Sequence, residues 1–316
     1  MTRVSRSYLR VQYDLRPAKQ VERRIFIESF QLLAEVGFPI RDYQYTGMGS
    51  IHFVDFAMFH KFLGINRLLS VEIESDIDQR LKFNTPYAGC VKVVSGQKIG
   101  EYIPQLSNDC KHVLWLDYDN LLSNEMLRDV SQAITMLPDS SILLVTVDTE
   151  PPRYEDGERE GEKMGANDTR RYFEEVAEGF ADYLTDTWVD DDFEWDKLPD
   201  INAQLLIKSI TEGLKGRSEP CFVPLFHFLY SDGHRMLTIG GMVGTKKDRR
   251  KIMKSRLAHM DYVRLRFEEK PFWIRVPKIT RKERLYLDSN MPSDPGWKPK
   301  EFEMSDEDLE NYRSIY

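Results

Sequence analysis

The stretch Tyr43–Glu74 constrains this chain more than any other. A short apolar-aromatic segment, Gln44–Gly47, runs into Gly47-Met48-Gly49-Ser50. An amphipathic run, Val54–Leu63, follows and stops at Gly64, and a second apolar segment, Arg67–Glu72, ends on an acid. Strand, glycine turn, helix, strand and acidic tip open a parallel α/β sheet, and in that arrangement turn and tip hold a nucleoside-containing ligand. Gly47 permits the tight turn, and Gly49 lets backbone approach a ligand with no side chain between. A full dinucleotide fingerprint would place a third glycine where His52 stands, and a side chain there opposes the close helix–strand packing of a pyrophosphate site. Taken alone, the glycine pair also suits an ordinary strand-to-helix turn. Glu72 adds to it: 23 residues after Gly49, it has nearly the spacing at which a carboxylate accepts from two ribose hydroxyls. Glu74, on the same strand face, is the register alternative.

The alternation continues downstream. The pattern predicts a helix over 76–83, a strand at 91–94, a short helix over 99–106 and a strand at 112–117 (HVLWLD). A helix capped by Ser123 and a strand at 141–148 (SILLVTVD) follow. These strands are dense in Val, Leu and Ile without clean alternation, as expected when both sheet faces are covered. Segments 222–230 and 236–244 flank Ser231-Asp232-Gly233-His234 and predict a β-hairpin. Its Phe222, Phe226, Phe228 and Tyr230 alternate at strand spacing and belong to the core. Ahead of the sheet, Pro17-Ala18-Lys19-Gln20 opens a helix with an apolar stripe through Ile25, Phe30 and Leu33, ended by Gly37-Phe38-Pro39. Three parts are expected: a helical cap (1–40), an α/β domain (41–246), and an extension (247–316) with a basic helix and an acidic tail. The α/β domain carries a polar, lid-like loop at 150–166, a helix over 169–184 and an acidic linker at 186–201.

By the crevice rule, ligands bind outside the carboxyl ends of parallel strands. The third strand ends at Ser95-Gly96-Gln97, where Gln97 is placed to read the edge of a base. The fourth ends at Asp117-Tyr118-Asp119-Asn120, the densest polar cluster beside an apolar strand. Asp117 suits a general base, an anchor for a ligand ammonium or a hard-cation ligand; Asp119 and Asn120 also suit a cap of the next helix. Arg16 and Lys19 put two cations at a helix start, where the macrodipole favours anions, so they are candidates to hold an anionic group over the site. His52 is a candidate acid or base, and His234 reads as a turn residue.

Together these residues give the chain its resemblance. Glycine turn, acidic second tip, polar third tip, aspartate at the fourth and a closing hairpin resemble a class I S-adenosylmethionine-dependent methyltransferase. LRPAKQVER (15–23), YTGMGSIHFVDF (45–56) and VLWLDYDN (113–120) are similar to uncharacterised O-methyltransferases of bacterial and prophage genomes. The resemblance implies a Rossmann-like, seven-stranded, mostly parallel sheet with a terminal antiparallel hairpin and helices on both faces. It implies S-adenosylmethionine bound by Gly47, Met48, Gly49, Ser50, Glu72, Gln97, Asp117, Arg16 and Lys19, with Asp117 and His52 as catalytic candidates and no metal. No Asn/Asp-Pro-Pro-Tyr motif follows the fourth strand, which argues against amino methylation of bases, and Gln97 stands where many relatives carry Asp. An oxygen acceptor is the expected partner, its identity open.

Composition narrows the setting. No uncharged apolar run reaches the length of a membrane span, about 18 residues, and the N-terminus has no signal-peptide apolar core. Cys90, Cys110 and Cys221 lie far apart without metal-ligand rhythm, as in a reducing cytoplasm. The net charge of −8 hides an asymmetry: residues 148–200 carry 19 acidic and 6 basic side chains, whereas 245–284 carry 15 basic and 5 acidic. The two segments either pack on each other, or the basic one, at 246–266, meets a polyanion such as nucleic acid. Oligomeric state is not legible. A nicotinamide-dependent enzyme is disfavoured by His52 and by the hairpin.

Overall fold

The computed structural model describes residues 16–155, 157, 159–180, 186–219 and 221–315. Its frame is an eight-stranded sheet: β1 (Gln44–Gly47), β2 (Arg67–Glu72), β3 (Val91–Ser95), β4 (His112–Leu121), β5 (Ser141–Asp148), β6 (Phe222–Ser231), β7 (Arg235–Val243) and β8 (Phe272–Ile274). The spatial order is β3-β2-β1-β4-β5-β7-β6-β8. The first five are parallel, and β7 runs antiparallel to both β5 and β6. Strand order reverses at β1, between β2 and β4. In open sheets of this kind ligands bind at such a reversal, outside the carboxyl ends of the strands.

Two helical layers cover the sheet. On one face lie α1 (Pro17–Glu35) and α2 (Val54–Leu63). Phe26 of α1 meets Trp115 of β4 edge-on at 5.1 Å and Phe226 of β6 at 5.0 Å, and Phe59 of α2 meets Tyr45 at 4.8 Å. On the other face α5 (Asn124–Met136) and α7 (Leu198–Leu214) bury Leu127, Val130, Leu205 and Leu206 against Leu114, Leu116, Leu143 and Val145. Burying such a side chain stabilises by roughly 1.5–3 kcal/mol. The remaining helices are α3 (Asp78–Asn84), α4 (Ile99–Tyr102), α6 (Ala166–Ala177), α8 (Lys246–Met253), α9 (Arg281–Asn290) and α10 (Asp306–Arg313). Among the described residues no helix is long and apolar enough to cross a membrane.

This is the Rossmann-like sheet with a closing hairpin, and its departures from expectation have physical causes. The sheet has eight strands instead of seven. β8 pairs parallel to β6 at Phe228–Phe272, and a three-residue strand is too short to show a period. β4 does not stop at Asp117 but continues to Leu121; Asp117 pairs with Thr146 and Leu121 with Asp148, so four steps on β4 oppose two on β5. The tip therefore bulges, and Ser123 caps α5, its Oγ accepting from the Met126 N–H at 3.3 Å. Phe222 joins the opposite core face from Phe226, Phe228 and Tyr230, because the β6 register shifts between Pro224 and Phe226.

Within the expected lid, Arg153 bridges to Lys163, and Met164 N–H donates to Pro152 O at 2.8 Å, so part of that loop is a short antiparallel ladder. α6 begins at Ala166, earlier than expected, and ends at Ala177. Residues 181–184 of the expected helix, and the chain before Arg16 including Leu15, lie outside the described residues.

Candidate functional site

The site begins at the turn after β1. Ser50 (φ 50°) and Phe53 (φ 48°) both adopt the left-handed conformation, which costs non-glycine residues about 1–3 kcal/mol each and collects at ligand-binding turns. A Cβ on Gly49 would lie 2.8 Å from Phe53 and Phe56 ring atoms and 2.9 Å from Ser70 Oγ, and one on Gly47 would collide with the Tyr45 phenol. Both glycines are thus required by protein packing beneath the turn. The turn is tied to β2: Gly49 N–H donates to Ser70 Oγ at 3.0 Å, Ser50 N–H to Glu72 Oε1 at 3.0 Å, and Ser70 Oγ to the same oxygen at 2.5 Å. Glu72 is 6% exposed, and burial pushes its carboxyl up to about 7 against the pull of these donors. Gln97 N–H donates to Glu72 O at 3.2 Å, which sets the third tip beside the second. Ser50 Oγ is buried without a hydrogen-bond partner. Met48 packs against the core face of α5 and α7, and His52 is half-buried within the turn.

The second half of the site is built by α1. Lys19, 1% exposed, places Nζ 2.6 Å from Asp117 Oδ1, 2.9 Å from Glu22 Oε2 and 3.0 Å from the Tyr230 hydroxyl, and 4.3 Å from the Trp115 ring centre. The Glu22 contact is an ion pair without hydrogen-bond alignment, and the Thr238 hydroxyl donates to the other Glu22 oxygen. Burial alone would lower the Lys19 ammonium; Asp117 and Glu22 outweigh it, and the group is held well above its ordinary value and stays charged. Burial, then the charge of Asp117, push Glu22 up while Lys19 pulls it down. One turn earlier, Arg16 Nη1 lies 3.5 Å from Asp119 Oδ1.

These two contacts match helix to strand. Residues 16 and 19 share a helix face at a rise of about 4.5 Å, and 117 and 119 share a strand face about 6.6 Å apart. The helix start that the macrodipole disfavours for cations is offset by Asp232 of the β6–β7 turn. Its carboxylate accepts from the N–H groups of Ala18 at 3.1 Å and Lys19 at 2.9 Å.

The chain matches the family described as "Putative O-methyltransferase" over residues 11–316. It belongs to that family. As a member it is a methyltransferase. No curated protein matches its sequence. Among solved structures it is similar to the N-methyltransferase NodS from Bradyrhizobium japonicum WM9, at 10% identity over 72% of this chain and 98% of that one, TM-score 0.38. It is also similar to the O-methyltransferase TomG from Streptomyces achromogenes, at 13% identity over 69% of this chain and 80% of that one, TM-score 0.37. A third is an O-methyltransferase family protein from Burkholderia thailandensis, at 10% identity, 71% and 60% coverage, TM-score 0.35. Likenesses this distant assign no residue and no substrate.

The methyltransferase brings Gly47–Ser50, Glu72 and Gln97 to one side of the crevice and Asp117, Lys19 and Arg16 to the other. Ser70, Glu22, Tyr230 and Asp232 were not anticipated. Glu22 carried a usable signal, since Lys19, Glu22 and Arg23 sit on the apolar stripe of α1 and charges buried on such a face require partners. Asp232 carried none, because its partner is 214 residues away. A cavity of about 500 Å³ lies elsewhere: Pro39, Arg41, Tyr43, Arg67 and Lys111 place it at the amino ends of the strands. Strand polarity decides between the two places, because the glycine turn, the strained Ser50 and Phe53 and the buried Glu72 lie at the carboxyl ends. Among the described residues no cluster of three metal-ligating side chains forms.

Proposed function

We propose that the crevice between the Gly47–Ser50 turn and Asp117 binds S-adenosylmethionine and presents its methyl group to an oxygen acceptor. The residues fit that cofactor: Ser50 Oγ is a buried polar atom without a partner, and Glu72 is a buried carboxylate at the tip where a ribose diol would donate. S-adenosylmethionine supplies, when bound, a methyl group activated by its sulfonium. The chain's part is alignment and exclusion of water. Glu72 accepts from the ribose hydroxyls, Gln97 reaches the adenine edge, and the backbone of Gly47, Met48 and Gly49 lines the methionine portion.

Asp117 stands between cofactor and acceptor. Lys19 engages Oδ1, so the carboxylate is fixed in place and directs Oδ2 at the cofactor ammonium or at the acceptor hydroxyl. Lys19 itself is a positioning residue, its ammonium already shared among Asp117, Glu22 and Tyr230. Arg16, at the mouth, remains the candidate for the cofactor carboxylate, and His52 is the candidate acid or base beside the turn. The setting we propose is the cytoplasm, consistent with free thiols at Cys90, Cys110 and Cys221.

The observation that carries this reading is the buried Lys19–Asp117 pair set opposite the Glu72-braced turn. Titration calorimetry with S-adenosylhomocysteine tests it: the wild type binds with one-to-one stoichiometry, and Glu72→Ala and Asp117→Asn each weaken binding at least tenfold. Wild-type protein that binds neither this nucleoside nor S-adenosylmethionine overturns it.

A further inference from the structure

The basic segment is not absorbed by this function, and its surroundings are informative. Among the described residues, its ion pairs run to Glu35, Glu269, Glu307 and Asp288, and none reaches residues 148–200. Packing on the acidic segment therefore does not account for it. Helix α8 starts from a capping box in which Thr245 and Asp248 satisfy each other, and Asp248 and Ile252 are buried. The opposite side of the helix presents Lys246, Arg249, Arg250 and Lys254 around a shallow groove of about 370 Å³. All four are exposed, and among the described residues none has an acidic partner in an ion pair.

A second group of cations lies beside the first. The 500 Å³ cavity at the amino ends of the strands carries Arg41, Arg67 and Lys111, and no ion pair among the described residues engages them; Asp42 and Asp109 are its acids. The helix that carries one recess packs beside the other. Lys251 of α8 stacks over Phe38 at 5.0 Å, next to Pro39 and Arg41, and the charge of Asp248 is felt by the buried Tyr43 hydroxyl. β7 delivers α8 to this end directly, since its last residue, Val243, pairs with Ser141, the first residue of β5. The result, among the described residues, is seven cations outside any ion pair against two nearby acids, on one end of a protein whose net charge is −8.

We propose that this end of the molecule, α8 together with the recess at Arg41, Arg67 and Lys111, binds the phosphate backbone of a nucleic acid. Charge complementarity selects a polyanion, because a neutral or basic partner leaves these cations unmatched. Two adjoining recesses suit a ridged phosphate chain better than a flat bilayer, and Met253 is the single large apolar side chain exposed on α8. Arg67 and Glu72 are the two ends of β2, about 17 Å apart by strand rise. The surface is thus a strand's length from the methyl-transfer crevice and acts as an anchor for the enzyme.

Fluorescence anisotropy with the full chain and two labelled probes, a 20-base-pair DNA duplex and a single-stranded RNA 20-mer, tests this between 50 and 200 mM NaCl. We expect binding to at least one probe, with log K falling linearly in log salt. A slope of about −4 or steeper corresponds to five or so phosphate contacts. Arg249→Glu/Arg250→Glu reduces affinity about tenfold or more at 100 mM salt and flattens the slope by about two contacts. Arg41→Glu/Arg67→Glu does the same from the other recess. Both variants keep the wild-type affinity for S-adenosylhomocysteine, which separates this surface from the crevice and shows that they fold. No binding to either probe at 50 mM salt, binding untouched by both variants, or variant-sensitive binding only to anionic lipid vesicles overturns the proposal.

Discussion

At the scale of single residues, the site rests on charges that the fold has taken out of water. Lys19→Met leaves Glu22 and Asp117 without their cation, and breaking a buried pair in this way costs about 3–5 kcal/mol. Chemical denaturation should show that loss, with a smaller one for Glu22→Gln, which removes a charge instead of stranding one. Glu72 gives a prediction with a sign. Its folded carboxyl titrates near 7, above the ordinary 4.5, so the folded state holds its proton more tightly than the unfolded state. The associated stability is fully present below pH 4.5 and is lost as pH rises through 7, by up to about 3 kcal/mol. Glu72→Gln should therefore be more stable than the wild type at pH 8, with the gap closing toward pH 5. It should also bind S-adenosylhomocysteine more weakly, because an amide is a poorer acceptor for a diol. Melting curves and calorimetry on the same variant at both pH values check these opposite signs.

At the scale of elements, the decisive event is the docking of the α1 start onto the β4 tip. Asp232 does this from the hairpin turn, and Asp232→Ala removes both acceptors from the first turn of α1, costing about 0.5–2 kcal/mol as other lost caps do. Because the same turn carries Lys19, the variant should also lose affinity for S-adenosylhomocysteine, whereas Asp232→Asn, which still accepts, should keep most of both. Thermal melts with and without ligand read the two effects together. α2 and strands β1, β2 and β5 were legible because the apolar pattern of each agrees with the glycines and turn residues that bound it. The end of β4 was not, since Asp119 and Asn120 are poor strand residues locally. The bulge and the renewed pairing at Leu121–Asp148 keep them in the strand. β8 depends wholly on the β6 edge that receives it.

At the scale of the molecule, one sheet connects the two ends to which functions are proposed. The carboxyl ends of the strands carry the crevice, and the amino ends carry the basic surface. If the crevice holds its ligand, S-adenosylhomocysteine at a hundredfold over its Kd stabilises the folded chain by about 2.7 kcal/mol and raises Tm by about 5 °C. Differential scanning fluorimetry measures it, and Glu72→Ala should abolish the shift.

The sequence by itself determined the order of elements, the parallel α/β class, the glycine turn with its acidic partner and the Asp117 tip. Each of these is written in local period or in motif spacing. Only the tertiary structure decided what Arg16 and Lys19 meet. Lys19 meets Asp117 across 98 residues, Tyr230 across 211, and its helix is held by a carboxylate 213 residues on. Only the tertiary structure, too, separated the basic segment from the acidic one. Long-range burial joins groups whose spacing in the chain carries no signal, and a charge's partner is fixed by the surface it is folded against.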